Sequence, residues 1–332
     1  MPQFSVIIPV YNRINEVDEL LDSLAIQSCK DFEVIIVEDG STSPCKEAVD
    51  KYAGQIDIKY FFKENEGRSI ARNHGMENAS GNYFIFFDSD CVIPPDYFAK
   101  LSELLKQNPV DCFGGPDAAH QSFSDTQKAI NYAMTSFLTT GGIRGGKVSL
   151  EKFVPRTFNM GFSRKVWQKT GGFREMFSED IDMSTRIKRD GFSITLFPTL
   201  HVWHKRRVDF RKFLRQVYVF GMSRITLQLL YPGSLKPVHT LPALFLIGTL
   251  TLIALAIFIS PWFIAPLAVY LLAIFFSALA STRSLPIALK AVPASIIQLC
   301  GYGAGFLKAF TTKIILRQQR DVNQEILIRK GK

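Results

Sequence analysis

The sequence predicts an α/β fold with a doubly wound, mostly parallel sheet, followed by a C-terminal transmembrane helical hairpin and interfacial helices. Three observations predict it. Short apolar runs alternate with helix-period segments through the first third of the chain, the pattern of βαβ units. The run Tyr83–Phe87 is apolar or aromatic throughout, as in a strand covered by helices on both faces. Leu241–Ile259 and Phe263–Ala280 contain no charged residue, and nineteen residues of helix span about 28 Å, enough to cross a bilayer.

The elements follow in order. Phe4–Val10 is an apolar strand that turns out at Tyr11-Asn12-Arg13. Val17, Leu20, Leu21 and Leu24 recur at helical spacing and predict a helix over Asn15–Gln27. Phe32–Val37 is a second strand ending at Glu38-Asp39-Gly40-Ser41. A short helix near Cys45–Tyr52, a strand at Ile58–Phe62, a turn at Asn65–Arg68 and a helix at Ser69–Asn78 lead to the strand at Tyr83. Beyond Pro94 and Pro95 come a helix near Asp96–Gln107 and a short strand near Asp111–Gly114. Thr139–Lys147 is glycine-rich and carries Arg144 and Lys147; it reads either as a lid over a phosphate or as a plain connection. Phe158–Phe162 is a strand and Ser163–Lys169 a helix. Ser178 is placed to cap a helix running to Arg189.

Charge divides the chain. Residues 1–200 carry 22 Lys and Arg against 27 Asp and Glu, whereas residues 201–332 carry 17 against 3. A basic half suits nucleic acid or an anionic membrane; the apolar runs favour the membrane, and no nucleic-acid partner is expected. The five cysteines show no metal or redox spacing, which suits a reducing compartment. Met1–Ser5 has no charged leader, so a cytosolic first half is expected. No G-x-G-x-x-G follows the first strand, which weakens a dinucleotide reading.

Chemistry concentrates at Asp88-Ser89-Asp90. In extended backbone, residues i and i+2 point the same way, so both carboxylates leave the C-terminal edge of the sheet, where open α/β sheets bind ligands. Two adjacent carboxylates invite a hard divalent cation carrying nucleotide phosphates; a solvated acidic turn is the plain alternative. Glu179, Asp180 and Asp182 place three acids in four positions at a helix start, more than the helix dipole requires.

Phe4–Asn12, Val34–Ser41, Gly67 with Ala71-Arg72-Asn73, Asp88-Ser89-Asp90, Asn159 and Glu179-Asp180 resemble, in order and spacing, the motifs of family 2 inverting glycosyltransferases. The resemblance covers about residues 4–224. It implies a GT-A fold (a Rossmann-like sheet), a nucleotide-sugar donor and a divalent cation, Mn²⁺ or Mg²⁺. Residue by residue, it implies that Pro9, Tyr11 and Asp39 bind the base, with Asp39 accepting from a nucleobase N–H. Arg72 faces the diphosphate or holds the donor-site acids, Asp88 meets the ribose or metal-bound water, and Asn159 belongs to the donor site. Asp90 is the metal ligand, with His204 a further one. Asp180 is the catalytic base, beside Glu179. The chain lacks the Q-x-x-R-W signature of processive synthases: Val217-Tyr218-Val219-Phe220 follows Gln216. That implies single-sugar transfer to a lipid-linked or membrane-proximal glycan acceptor. A polyprenyl-phosphate sugar synthase on the same fold and an inactive membrane scaffold are the alternatives.

The expected organisation is a catalytic domain at 1–203, a basic amphipathic interfacial segment at 204–238 lying on membrane lipids, a transmembrane hairpin at 239–281 and a basic C-terminal segment at 282–332. Arg211, Arg215 and Arg224 are candidate acceptor contacts. Ala291–Leu307 is apolar but holds Pro293 and three glycines; an interfacial or re-entrant path is expected. The cations flanking the hairpin put the catalytic domain and C-terminus in the cytoplasm, at the plasma membrane in a bacterial cell.

Overall fold

Strand β1 (Phe4–Val10) lies in the middle of the larger sheet. Its alternate residues explain why. Phe4, Val6, Ile8 and Val10 enter one core cluster, whereas Ile7 enters the cluster on the other face, as a period-two strand between helical layers requires. The structure is a computed structural model that describes residues 2–118, 120, 122–142, 153–205 and 209–317. These residues form two units, one of 2–120 with 153–205 and the other of 122–142 with 209–317.

In the first unit β1 leads to α1 (Ile14–Ala25), β2 (Phe32–Asp39), α2 (Lys46–Asp50), β3 (Asp57–Lys63), α3 (Arg68–Glu77), β4 (Tyr83–Phe86), β5 (Cys91–Val92), α4 (Tyr97–Gln107), β6 (Cys112–Gly114) and β7 (Asp117–Ala118). The chain then contributes α5 (Asp125–Thr135) and α6 (Phe137–Thr140) to the second unit. It returns as β8 (Met160–Ser163), α7 (Arg164–Thr170), α8 (Glu179–Arg189), β9 (Ile194–Leu196) and β10 (Val202–His204). The larger sheet has the order β3-β2-β1-β4-β8-β6-β9. Only β8 runs against its neighbours, β4 and β6. The sheet is therefore mixed and mostly parallel, as predicted.

Strand β2 is buried along its whole length although it contains Glu33, Glu38 and Asp39. Each acid is partnered. Glu33 accepts from Ser5 Oγ (2.6 Å), Lys59 Nζ (2.7 Å) and the Ser80 amide (2.6 Å). Glu38 accepts from Ser41, the Cys45 amide and Tyr60. A second, three-stranded sheet has the order β5-β10-β7 and pairs His204 with Cys91 and Val202 with Asp117. Three strands distant in sequence thus meet just past the end of β4.

The second unit is helical. Ser124 and Gln127 form a reciprocal capping box at the start of α5. Asp209 caps α9 (Phe210–Leu230) by accepting from the Lys212 amide at 2.7 Å. Then come α10 (Leu241–Phe258), α11 (Ala265–Thr282) and a last helix, Leu285–Ile315. Among the described residues, three helices are long and apolar enough to cross a membrane: Leu241–Phe258, Pro261–Thr282 and Leu285–Ile315. Ala129 and Tyr132 of α5 pack with Ile274, Ala278, Ile287 and Ala291. On the last helix a Cβ at Gly305 would overlap the Tyr218 carbonyl oxygen, and one at Gly221 of α9 would overlap that of Tyr302. Backbones approach this closely only where side chains are missing.

Two expectations change here. Of the interfacial and re-entrant paths expected for 291–307, the re-entrant one needs a turn, yet the helix continues through Pro293, with a wider π turn at Ile297–Gly301. The α9 part of the basic segment does not simply lie on a surface, because Phe213, Val217, Gly221 and Ile225 are buried. The glycine-rich stretch is described only to Gly142. Arg144, Lys147, Arg206, Arg207 and the tail beyond Arg317 lie outside the described residues.

Candidate functional site

Asp88 and Asp90 follow β4 at the C-terminal edge of the sheet, where the sequence puts them. Arg72, on α3, is fully buried. It donates through Nη2 to Asp88 Oδ1 at 2.6 Å and through Nη1 to Glu179 Oε1 at 3.1 Å. The other oxygen of Glu179 accepts from Arg68 Nη2 at 2.7 Å. Arg68 and Arg72 stand one turn apart, so both face the start of α8.

This geometry corrects two expectations. Burial closes the diphosphate-facing option for Arg72 and leaves its other one, holding the acids. Glu179, expected beside the base as a catalytic acid, is buried with each oxygen on a guanidinium. It joins α3 to α8, and its burial keeps it from a substrate hydroxyl.

Asp180 is the accessible acid of that pair. Its Oδ2 accepts from Arg156 Nη1 at 3.3 Å and its Oδ1 from the Ile181 amide at 2.8 Å. Ser178 precedes them at φ 62°, in the left-handed region, and its hydroxyl makes no cap bond. Ser178 thus holds the expected N-cap position without the cap bond. A left-handed non-glycine residue beside reactive groups marks a backbone held by its surroundings.

On the other side of Asp88, His204 Nε2 lies 3.2 Å from Asp90 Oδ1. His204 Nδ1 lies 3.8 Å from Asp117 Oδ2, and its ring stacks on Phe158 with centroids 4.5 Å apart. A carboxylate behind an imidazole is the usual way to orient a metal-binding histidine. Ligand atoms of Asp90, Cys91 and His204 fall within 4.8 Å of one another. Burial, with the charges of Asp90 and Asp88, pushes the Cys91 thiol well above its ordinary value, and hard divalent cations prefer oxygen and imidazole donors to sulfur. The remaining carboxylate and imidazole donors fit Mn²⁺ or Mg²⁺, with open positions for phosphate oxygens and water.

A cleft of about 410 Å³ opens beside these groups, lined by residues that include Pro9, Tyr11, Asp39, Gly67, Arg68, Glu175 and Phe177. Asp39 accepts from Lys63 Nζ (2.9 Å) and from the amides of Glu66 (3.0 Å) and Gly67 (2.9 Å). It therefore clamps the turn that opens α3. Gly67 adopts φ 105°, and a Cβ there would overlap the Glu175 carboxyl. Glu175 Oε2 accepts from the Ser69 amide at 2.9 Å.

Asn159 departs from expectation. It is fully buried, accepts from Tyr97 OH at 2.7 Å and donates to the Leu200 carbonyl at 2.7 Å. It ties the sheet to its neighbours and cannot reach a donor. Arg211 and Arg215 are exposed on α9 and Arg224 is half-buried there, all in the second unit. Arg68, Arg156 and Asp117 escaped the sequence reading. The first two look like ordinary surface cations, and Asp117 acquires meaning only through the β7–β10 pairing.

The fold is of the GT-A type. Residues 5–171, half of the chain, match the family model of glycosyl transferase family 2, and the chain belongs to that family. An uncharacterized glycosyltransferase of Rickettsia felis is 38% identical over 135 residues, which cover 41% of this chain and 22% of that protein. The uncharacterized glycosyltransferase YibD of Escherichia coli is 30% identical over 187 residues, covering 56% of this chain and 51% of that protein. The chain thus spans about a fifth to a half of these relatives. Among solved structures, the mannosyltransferase PcManGT of Pyrobaculum calidifontis, in complex with GDP-Man and Mn²⁺, superposes with a TM-score of 0.60 at 19% identity. The match covers 94% of this chain and 88% of that one, a likeness of fold.

Proposed function

We propose that this family 2 glycosyltransferase is a membrane-anchored, metal-dependent inverting enzyme. It moves one sugar from a nucleotide-sugar to a lipid-linked or membrane-proximal glycan. The observation that carries this reading is the run of contacts from Asp88 through Arg72 and Glu179 to Arg68. It ties the acids at the strand end to the acids at the helix start, beside the cleft.

In this reading the nucleobase lies in the cleft against Tyr11 and Pro9. Asp39 Oδ2, with one protein donor, keeps acceptor capacity for a base N–H. Asp88, fixed by Arg72, faces the ribose. Asp90 and His204 would hold the cation, which would supply positive charge beside the leaving diphosphate. The acceptor hydroxyl attacks the anomeric carbon from the opposite face, the bond to the diphosphate oxygen breaks, and Asp180 takes the hydroxyl proton. Arg156 keeps that carboxylate turned toward its work.

Arg211, Arg215 and Arg224 are proposed to bind the acceptor's phosphate, because arginine meets phosphate oxygens bidentately. The apolar faces of α10 and α11, which bury few of their own residues, are proposed to meet lipid. The last helix is more extensively covered by protein. It is proposed to keep the C-terminus on the catalytic domain's side.

The test is a hydrolysis and transfer assay of the full chain with UDP-, GDP- and dTDP-sugars, each with Mn²⁺ and Mg²⁺. Metal-dependent turnover of one donor, giving a product of inverted anomeric configuration, is expected. No turnover of any donor overturns the proposal in favour of an inactive scaffold.

A further inference from the structure

We infer that Arg68 is the side chain that meets the donor's diphosphate, and that Glu179 is the positioning acid that aims it. The inference rests on the donor reading above and assigns it a residue that the family motifs do not single out.

Arg72 is fully buried, with both terminal nitrogens on carboxylates, so its guanidinium is shut off from a ligand in the cleft. One turn earlier on the same helix face, Arg68 differs in three respects. Its side chain is 52% exposed. It lines the cleft together with Pro9, Tyr11 and Asp39. It makes one strong contact, from Nη2 to Glu179, on a guanidinium that carries five N–H donors. The remaining edge is available to two oxygens of a phosphate.

Electrostatics place Arg68 between the two halves of the site. Glu179 is the largest influence holding its pKa above the ordinary value, and Asp88 and Asp180 add to it despite the opposing effect of burial. The same three carboxylates that border the reacting centre therefore surround this cation. A diphosphate bound there brings negative charge among acids, and Arg68 offsets part of that repulsion. Glu179 matters because an arginine free to rotate loses rotamer entropy on every contact, whereas one already held loses little. Gly67 extends the logic. A Cβ there would overlap the Glu175 carboxyl, which lines the same cleft.

The experiment measures binding by calorimetry to the full chain in detergent with Mn²⁺ present. UDP, GDP and dTDP are first screened on the wild type, and the best binder is compared with its parent nucleoside. Arg68→Ala weakens the nucleoside diphosphate by about ten- to a hundredfold, the range for one charge-assisted contact, and leaves the nucleoside unchanged. Arg68→Lys restores part of the loss. Glu179→Gln weakens the diphosphate in the same selective way, and its thermal unfolding is recorded beside it. Arg68→Ala alone decides the matter if Glu179→Gln does not fold. Equal diphosphate affinity in wild type and Arg68→Ala overturns the inference while the donor reading stands. Equal losses for nucleoside and diphosphate also overturn it, since they mark a structural role. If the wild type binds none of the three, the donor reading itself falls and the inference with it.

Discussion

His204 Nε2 lies 3.2 Å from Asp90 Oδ1, a contact made because β10 pairs antiparallel with β5 immediately beyond the strand-end acids. The pair predicts a divalent-cation site with one oxygen and one nitrogen donor. Asp90→Ala and His204→Ala each abolish Mn²⁺-dependent binding of nucleoside diphosphate in calorimetry. Cys91→Ala leaves it intact, because a hard cation takes oxygen and imidazole donors rather than sulfur. Loss of metal dependence in Cys91→Ala reverses that assignment.

Asp180 carries the second prediction. Asp180→Asn lowers the turnover number by roughly 10²–10⁴, the range for losing a general base, with donor affinity close to wild type. Steady-state kinetics with saturating donor check it. An Asp180→Asn enzyme that keeps most of its turnover points to a phosphate acceptor, which is already ionised and needs no base.

Glu33 predicts how stability responds to acid. Burial alone raises a carboxyl pKa, but the hydrogen bonds from Lys59, Ser5 and Ser80 outweigh it and pull Glu33 from 4.5 to about 2. A depressed carboxyl pKa stabilises the folded state above the unfolded value. The contribution, about 3 kcal/mol, is complete above about pH 5 and fades as pH falls toward 2. Glu33→Gln is therefore destabilised at pH 7, and the deficit shrinks as pH falls toward 2, as denaturant titrations at the two pH values measure. A pH-independent deficit rules out the ionised carboxylate as its source.

The glycine contacts between α9 and the last helix give a fourth prediction. Gly305→Ala pushes a methyl against the Tyr218 carbonyl and costs about 1–3 kcal/mol, seen as a lower unfolding midpoint in detergent. Gly248→Ala, on α10 with open space around it, does not lower the midpoint. Equal midpoints for Gly305→Ala and wild type mean that the two helices do not cross there.

The sheet and the strand-end acids are legible in the sequence because both rest on local periodicity: an apolar run, then carboxylates at i and i+2. The rest depends on where distant segments meet. Asn159 sits at the right distance along the chain for a donor ligand, but spacing carries no information about burial, and Tyr97 and Leu200 consume its amide. Arg68 is ordinary in sequence until α8 brings Glu179 to it. Pro293 reads as an interruption, yet the helix runs on through it, packed against neighbouring helices. Glu179 and Asp180 are adjacent in sequence and do different work, because successive positions on a helix face different directions.

The excursion of the chain into α5 between β7 and β8 bears on how the protein is made. A ribosome delivers α5 before any of the helices that cover Ala129 and Tyr132, so the nascent chain carries a bare apolar face through most of its synthesis. Cutting the chain after β10 to obtain a soluble catalytic fragment strands the same face in water. Such a fragment invites self-association, and removing 121–152 along with the C-terminal helices is the more promising excision.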